Sequence, residues 1–397
     1  MKSLYIEIVS IVFIIISSLI IFYILKQFFS PSNSDKKSIS PFVQPAPLIV
    51  PPPNICNSVS NSTFTIENNW TGKDMIPSEQ KGWEFFVGDD PTRGHVSYNK
   101  WSYLLKPYGD SLRIDVDSKP ISNGRRSVRL MTNDKYTANN KTYLFIIDAE
   151  HIPEGLSVWP AFWLVGIPDN KINGKQISNW ACYGEIDIIE GCNSVKEDAD
   201  SNINTSTLHT NLVPDADDCI QTMFGITNKN CNASTSDLYT CGCSGDERCP
   251  NQGCGIKKGL FGNAFNNSGG GVYACQLDNN GIVTIWFFRR DSIPENILCG
   301  KPDPTQWPKT STTSDGKMTT VITFEACPKH FQNLRLVINT TICGEWAGNT
   351  FKNGKNNGKY ACEAFSVDPN NLYEDAYWYI NYIKVFSKPI PSTPPSL

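Results

Sequence analysis

Positively charged residues are not in excess in this 397-residue sequence. Lys and Arg total 35 against 39 Asp and Glu, a formal net charge of −4, and no basic patch is dense enough to indicate a nucleic-acid interface. The glycine run 269–271 lacks the Lys and the following helix that a phosphate-binding loop needs. We therefore expect no nucleic-acid partner, no nucleotide and no redox cofactor.

Sustained helical periodicity is also missing. From about residue 55 to 387 the chain carries short apolar or alternating runs, such as SLRIDVDS, GIVTIWFFRR and NLRLVINT, broken by Gly, Pro, Asn and Asp. β-Branched and aromatic residues dominate these runs, and no internal repeat is visible. Many short strands with frequent turns predict an all-β antiparallel sandwich or barrel.

The amino-terminal segment is not globular. Residues 8–25 are 18 consecutive residues with nothing more polar than Ser and Tyr, which span about 27 Å as a helix, close to the hydrocarbon core of a bilayer. We predict a transmembrane signal anchor after a short cytoplasmic segment, residues 1–7. A cleaved signal peptide, which would give a secreted protein, is the alternative. It is disfavoured because the apolar run exceeds the usual ~7–15 residues and no small-x-small cleavage site follows.

Two flanking segments are predicted to lack a packed core. Residues 26–54 are rich in proline and end near the run Pro51–Pro53, which favours an extended stalk. Residues 388–397 are predicted to be a short disordered tail.

Cysteine is absent before position 56, and all 14 cysteines lie from Cys56 onward. An even number suits disulfides in an oxidising compartment. Sequons for N-glycosylation begin at seven positions, namely Asn61, Asn69, Asn140, Asn204, Asn232, Asn266 and Asn339. Together they predict a single-pass type II membrane protein whose globular domain, residues 55–387, is extracellular or lumenal.

A cysteine-rich insertion is predicted over residues 213–258, which contain six cysteines and few apolar side chains. Thiolates at this density could bind zinc, but only Cys249 and Cys254 approach the paired spacing of zinc knuckles. We favour disulfides, each of which would stabilise the loop by roughly 2–4 kcal/mol. Their connectivity stays open.

The stretch GEIDIIEG, residues 184–191, carries three carboxylates among isoleucines. In a strand Glu185 and Asp187 share one face, whereas Glu190 would lie on the apolar face, where an unpaired carboxylate is costly. One extra residue, a β-bulge around Ile188 and Ile189, brings Glu190 back to the face of the other two.

The spacing with a bulge fits a retaining glycosidase. Four strand steps of ~3.3 Å separate the Cα atoms of Glu185 and Glu190 by about 13 Å, and inward-leaning side chains can bring the carboxylates to about 5–6 Å. Retaining glycosidases have their two carboxylates about 5–5.5 Å apart, and inverting enzymes need a wider gap. Asp187 between them can hold their pKa values apart. A bare E-x-D-x-x-E is more often a solvated face or a set of calcium ligands, so the spacing alone does not decide.

The wider sequence resembles glycoside hydrolase family 16 in its laminarinase-like branch. The motifs that carry the resemblance are WPAFWL at 159–164, GEIDIIEG, TLHT at 207–210, CGEWAG at 343–348 and EDAYWYINYIKVF at 374–386. The resemblance implies a concanavalin A-like jelly-roll β-sandwich with a concave substrate cleft. It also implies retaining endo-hydrolysis of β-1,3-glucan or of mixed β-1,3/1,4- or 1,3/1,6-glucan.

The resemblance also assigns roles to residues. Glu185 would be the nucleophile, Glu190 the acid/base and Asp187 the residue that supports Glu185. Substrate-binding candidates are Trp163 and Trp180, which could stack on sugar rings, together with His209, Arg129 and Trp286. For each, a structural role in the core or on the surface is the alternative.

Two other functions use the same strand. A β-glucan transglycosylase would pass the covalent intermediate to a sugar instead of water, and a β-glucan lectin would need no acid/base pair. No cofactor or catalytic metal is expected. The fold could hold a structural calcium ion, but no loop identifies its ligands. We expect the β-glucan and the membrane as partners and a monomeric catalytic domain.

Overall fold

Strands are the main regular elements of the structure, a computed structural model that describes residues 51–78, 82–167, 184–209, 222–223, 254–314, 317–325 and 331–390. In chain order they are β1 (Thr65–Thr71), β2 (Trp83–Phe85), β3 (Val96–Tyr98), β4 (Leu105–Tyr108), β5 (Ser111–Asp115), β6 (Pro120–Ile121), β7 (Gly124–Ser127), β8 (Arg129–Thr132), β9 (Lys141–His151), β10 (Val158–Gly166), β11 (Glu185–Glu190), β12 (Ile203–His209), β13 (Thr222–Met223), β14 (Cys254–Leu260), β15 (Gly271–Leu277), β16 (Ile282–Arg289), β17 (Thr312–Ser314), β18 (Lys317–Glu325), β19 (Leu334–Ile342), β20 (Lys352–Asn353), β21 (Asn356–Asn357) and β22 (Tyr377–Pro389). The described α-helices are short: α1 (Pro53–Ser58), α2 (Gly262–Asn267), α3 (Glu295–Leu298) and α4 (Lys359–Val367).

Two antiparallel sheets carry the fold. A ten-stranded sheet has the order β13-β18-β16-β15-β9-β22-β5-β4, with β1 paired to β22 and β17 to β18. A seven-stranded sheet has the order β14-β12-β11-β10-β19-β8-β2. Two small sheets, β3-β7-β6 and β20-β21, complete the described strands. The predicted antiparallel sandwich is confirmed.

The main core lies between the two large sheets. Alternate residues of the seven-stranded sheet, such as Phe162, Ile186 and Ile338, pack in one buried cluster with Phe145 and Phe287 of the ten-stranded sheet. Burying each such side chain contributes roughly 1.5–3 kcal/mol. Because a slip of one residue would turn these side chains outward, the core fixes which residues of β11 face away from it.

A second buried cluster covers the opposite face of the ten-stranded sheet. It contains the strand residues Trp286 and Phe288 and the side chain of Trp307 from the segment after α3. The ten-stranded sheet is therefore packed on both faces over part of its area.

The predicted boundaries agree only in part with the described residues. Helix α1 begins at Pro53, and β22 continues to Pro389, two residues into the segment assigned to the tail. The predicted membrane helix, residues 8–25, most of the stalk and most of the cysteine-rich insertion lie outside the described residues. Within the part that is described, no helix is both long enough and apolar enough to cross a bilayer.

Disulfides join distant parts of the described chain. Cys56 pairs with Cys299, which ties α1 to the end of α3, and Cys343 pairs with Cys362 in α4. Cys192 and Cys275 are free thiols, so not every cysteine of the described chain is in a disulfide.

Candidate active site

Strand β11 presents its acidic residues on the outer face of the seven-stranded sheet, the face turned away from the core. Ile186, Ile188 and Ile189 are fully buried in the core, while Glu185 and Asp187 alternate with them on the other side. In the register Asp187 lies opposite Trp163 of β10 and Thr207 of β12.

The predicted bulge is confirmed by the pairing of β10 with β11. Phe162 pairs with Ile189 and Trp163 with Asp187, so Ile188 is the extra residue. Beyond the shift, Ala161 pairs with Glu190. The bulge restores the parity of Glu190, and its side chain reaches the same outer face as Asp187.

Two buried side chains of β12 hold the bulge in place. Asn204 Nδ2 and Ser206 Oγ both donate to the Ile188 carbonyl, each at 3.0 Å, and Asn204 Oδ1 accepts from the Glu190 amide at 3.0 Å. Asn204 and Ser206 are both fully buried. The Asn204 amide thus takes the place of a backbone partner that the bulge removes.

The residue after Glu190 must be small. A Cβ on Gly191 would come within 2.6 Å of the Phe261 ring. Glycine therefore lets β11 end against this buried aromatic ring without moving the bulge.

Glu190 is held by an indole. Trp159 Nε1 donates to Glu190 Oε1 at 2.9 Å, and the Trp159 ring meets Trp346 edge to face, with centroids 5.7 Å apart. Burial, supported by the nearby charge of Asp187, raises the pKa of Glu190 to about 8, although the Trp159 hydrogen bond and His209 oppose the rise. Glu190 is therefore mainly protonated at neutral pH and can donate a proton.

His209 lies beside the other two carboxylates. Its Nε2 is 3.3 Å from Asp187 Oδ2 and 3.9 Å from Glu185 Oε1, and His209 pairs with Glu185 across β11 and β12. Asp187 is 3% exposed, and burial raises its pKa to about 8. A protonated Asp187 can donate a hydrogen bond to a neighbouring ionised carboxylate.

Glu185, Asp187 and His209 could together hold a cation, since their ligand atoms lie within 4.8 Å of one another. Among the residues that the structure describes, no other group of three His, Cys, Asp or Glu residues has this geometry. A cation here would occupy the same oxygen atoms that the predicted covalent chemistry needs.

Trp163 and Arg129 form a platform next to Asp187. Trp163 Nε1 donates to Asn339 Oδ1 at 2.7 Å, and the Arg129 guanidinium lies 4.7 Å from the ring centroids of both Trp163 and Phe86. Burial lowers the pKa of Arg129, opposed by Tyr98, Asp90 and Glu185. The Arg129 Nε donor is buried and has no hydrogen-bond partner in the described part of the chain.

The two remaining predicted site residues, Trp180 and Trp286, differ in whether the structure describes them. Trp180 lies outside the described residues. Trp286 is 2% exposed, donates its Nε1 to the Pro308 carbonyl at 2.9 Å and stands in the second cluster of the ten-stranded sheet. Trp286 therefore lies away from the carboxylate strand, on the ten-stranded sheet, because the sequence gives the face of a strand but not its place among the sheets.

No role in the site was predicted from the sequence for Trp159, Trp346 or Asn204. Trp346 lies on a turn of π-helix, Gly344–Gly348, just after the Cys343–Cys362 disulfide. A signal for it was present in the motif CGEWAG. Trp159 shares the parity of Trp163, but the sequence alone does not say which of the two indoles meets Glu190.

The sequons divide by burial. Asn61, Asn69 and Asn140 are exposed, while Asn204 and Asn339 are 0% and 8% exposed and have their Nδ2 atoms engaged in hydrogen bonds. Asn266 is half-buried, and its Nδ2 donates to the Ile152 carbonyl at 2.9 Å. Asn232 lies outside the described residues. The folded domain therefore offers only the first three for a glycan among the sequons described.

Comparison with solved structures finds similar folds. The structure is similar to an elongating GH family 16 β-1,3-glucosyltransferase, with 29% identity, a TM-score of 0.61 and coverage of 81% of this chain and 99% of that one. It is also similar to laminarinase 16A from Phanerochaete chrysosporium with β-glucans in its donor and acceptor sites, with 26% identity, a TM-score of 0.58 and the same coverage.

Comparison of sequences finds a fungal enzyme and a family. The chain is 31% identical over 351 residues to the endo-1,3(4)-beta-glucanase xgeA of Emericella nidulans, covering 84% of this chain and 49% of the relative. The chain thus spans about half the length of that curated relative. Residues 83–386 match the model of the XgeA-like catalytic GH16 domain. Since this match covers more than half of the sequence and includes the bulged carboxylate strand, the chain belongs to the family of XgeA-like catalytic GH16 domains.

Proposed function

We propose that this protein is a retaining endo-β-1,3(4)-glucanase. The observation that carries the proposal is the bulge at Ile188, which brings Glu190 to the outer face shared with Glu185 and Asp187. The raised pKa of Glu190, about 8, supports it, because a retaining glycosidase needs one protonated and one ionised carboxyl group. The substrate is a β-1,3-glucan or a mixed β-1,3/1,4- or 1,3/1,6-glucan.

Each acidic residue has a role in the proposed mechanism. Glu185 attacks the anomeric carbon, and Glu190 protonates the leaving oxygen, which gives a covalent glycosyl-enzyme. Glu190 then removes a proton from the water that hydrolyses this intermediate. Asp187 donates a hydrogen bond to Glu185 and so favours the ionised form of the nucleophile. We expect the reacting carboxylates to lie about 5–5.5 Å apart.

The outer face of the seven-stranded sheet is the proposed floor of a concave cleft in a jelly-roll sandwich. Trp163 and Trp346 offer ring faces for sugars, and the Arg129 guanidinium beside Trp163 is the proposed donor to a sugar hydroxyl. Similarity to a laminarinase described with β-glucans in donor and acceptor sites supports this assignment. The chemistry needs no cofactor, and we propose that the catalytic domain acts as a monomer.

Transglycosylation is the second candidate. The similarity to an elongating β-1,3-glucosyltransferase favours it, because the same covalent intermediate can be captured by a sugar hydroxyl. A lectin is the third possibility from the sequence and would have no use for a protonated Glu190 on the same face as Glu185 and Asp187.

The test follows the digestion of laminarin by proton NMR, with the full chain and its Glu185→Gln variant. Early release of β-anomeric products by the wild type, absent in the variant, is expected. Early α-anomers would refute retention, and full activity of Glu185→Gln would refute the nucleophile assignment. With laminaritetraose, products longer than the starting sugar would identify transfer, and binding without any product would identify a lectin.

We also propose that residues 8–25 anchor the chain as a type II membrane protein with the catalytic domain outside the cytoplasm. The disulfides Cys56–Cys299 and Cys343–Cys362 and the exposed sequons at Asn61, Asn69 and Asn140 support an oxidising, glycosylating compartment. Expression in a secretory host tests this proposal. Resistance to carbonate extraction and a loss of mass with peptide N-glycosidase are expected, and a soluble, unglycosylated product would overturn it.

A further inference from the structure

A pocket of about 400 Å³ opens on the ten-stranded sheet. Its strand residues include Trp286 and Val321, which belong to the cluster on the sheet face turned away from the core. The carboxylates of β11 lie on the outer face of the other sheet, so the two sites are on opposite sides of the sandwich. The volume is within the range of ligand pockets, roughly 300–1,000 Å³.

The polar wall of the pocket is a row across three neighbouring strands. Thr323 of β18 pairs with Thr284 of β16, which pairs with Gln276 of β15. The three side chains are half-buried. Within the described part of the chain, none of these three side chains has a hydrogen-bond partner. The hydroxyls of Thr284 and Thr323 and the amide of Gln276 can therefore donate to and accept from a ligand in the pocket.

The apolar floor lies next to this row. Trp286 and Val321 pair with each other two positions further along their strands, and Phe64 adds a second ring. The only polar atom of the Trp286 side chain already donates to the Pro308 carbonyl, so the indole offers the pocket only carbon. Hydroxyls and an amide above an apolar floor match a sugar, which has apolar C–H faces and hydroxyl edges.

The charged residues that line the pocket already interact with other groups of the protein. Lys309 donates to the Pro304 carbonyl at 3.0 Å, and Lys388 lies near Asp303, whose pKa it helps to lower. Asp278 accepts from the amides of Asn280 and Ile282. No arginine is among the lining residues, although a bidentate guanidinium is the usual means of holding a phosphate or carboxylate. The ligand class is therefore a neutral oligosaccharide.

We propose that this pocket is a second glucan-binding site that holds the polymer outside the cleft. The proposal rests on the proposed function, since it takes the substrate of the cleft as its ligand. A short oligosaccharide cannot reach both sides of the sandwich. A long or insoluble glucan can, so binding in the pocket raises the local concentration of substrate at the cleft without contact with the reacting atoms.

The first test measures the number of sites. Calorimetry with laminarihexaose and the full-chain Glu185→Gln protein is expected to give two sites, and the added pair Gln276→Ala and Thr284→Val is expected to leave one. Thr312→Val, on the same sheet but outside the pocket, is the matched control and keeps two. One site in every variant would overturn the proposal.

The second test uses the active protein and separates failure of the pocket from failure of the proposed function. The pocket variant is expected to lose about tenfold in rate on insoluble β-1,3-glucan and to keep its rate on laminaritetraose. If the pocket variant and the wild type had the same rate on each substrate, the second glucan-binding site would be refuted and the proposed glucanase activity would stand. A wild type inactive on both substrates would refute the proposed glucanase activity. A second site that appears only when residues 391–397 are deleted would assign the pocket to the chain's own tail and overturn the proposal.

Discussion

The hydrogen bond from Trp159 to Glu190 predicts how one substitution moves the pH profile. In Trp159→Phe the ring that packs on Trp346 is kept and only the donor to Glu190 Oε1 is lost. This donor stabilises the ionised carboxylate and lowers its pKa, so its loss raises the pKa of Glu190. The alkaline limb of kcat/KM, which requires a protonated acid, is expected to move to higher pH.

The size of the shift follows from the charge on the acceptor. A hydrogen bond to a charged group contributes roughly 1.5–3 kcal/mol, and one pKa unit corresponds to about 1.4 kcal/mol. The limb, which we expect near pH 8 from the pKa of Glu190, should rise by about one to two units. Asp187→Asn should move it in the opposite direction, because Asp187 ionises over the same pH range and its charge then raises the pKa of Glu190.

The assay is the hydrolysis of a chromogenic laminarioligosaccharide between pH 4 and 11. Trp163→Phe is the matched control, since the Trp163 indole donates to Asn339 and not to a carboxylate; its alkaline limb should stay in place. If Trp159→Phe left the limb unmoved or shifted it to lower pH, Glu190 would not be the acid that this limb reports.

Three further predictions concern the same strand. Asn204→Ala removes the acceptor of the buried Glu190 amide. We therefore expect the free energy of unfolding, measured with urea, to fall by about 1–3 kcal/mol, and kcat to fall as well. Ser206→Ala leaves the Asn204 hydrogen bond to the Ile188 carbonyl in place and should lower the free energy of unfolding by less. Glu190→Gln should stabilise the protein relative to wild type by an amount that grows as the pH rises from about 4 to 8, because a raised pKa favours the folded state only while the acid is protonated; a gap in Tm that is constant with pH would contradict this. Zn²⁺ should inhibit competitively with glucan by binding Glu185 and His209, and EDTA alone should not reduce activity. Inhibition by Zn²⁺ that persisted in His209→Ala would exclude these residues as the zinc site.

The sequence predicted the sandwich and the carboxylate strand because both depend on local alternation. The two-residue period of β11 and the single extra residue at Ile188 were sufficient to predict the bulge before any partner strand was known. The agreement arises because an isoleucine-rich strand has one low-energy way to bury its apolar side chains and keep three acids out of the core.

Features that depend on partners distant in sequence were not predicted. The sequence could not show that Trp286 lies in the ten-stranded sheet and the carboxylates in the seven-stranded one. Nor could it show that Trp159 donates to Glu190, or that Asn204 replaces a backbone partner of the bulge. A sequon is a pattern of three residues and contains no information on burial, which is why Asn204 and Asn339 were counted with truly exposed positions.

The burial of Asn204 has a consequence for how the protein is made. The nitrogen that would carry a glycan is the one that donates to the Ile188 carbonyl. A chain glycosylated at Asn204 therefore cannot form the hydrogen bonds that hold the bulge and the Glu190 amide. If the chain is made in a glycosylating compartment, as proposed, β11 can pair with β12 either before or after a glycan is transferred to Asn204. Chains in which the strands pair first fold with the bulge in place, and chains that are glycosylated first do not. A glycan found on the peptide that contains Asn204 would identify the molecules that were glycosylated before β11 and β12 paired.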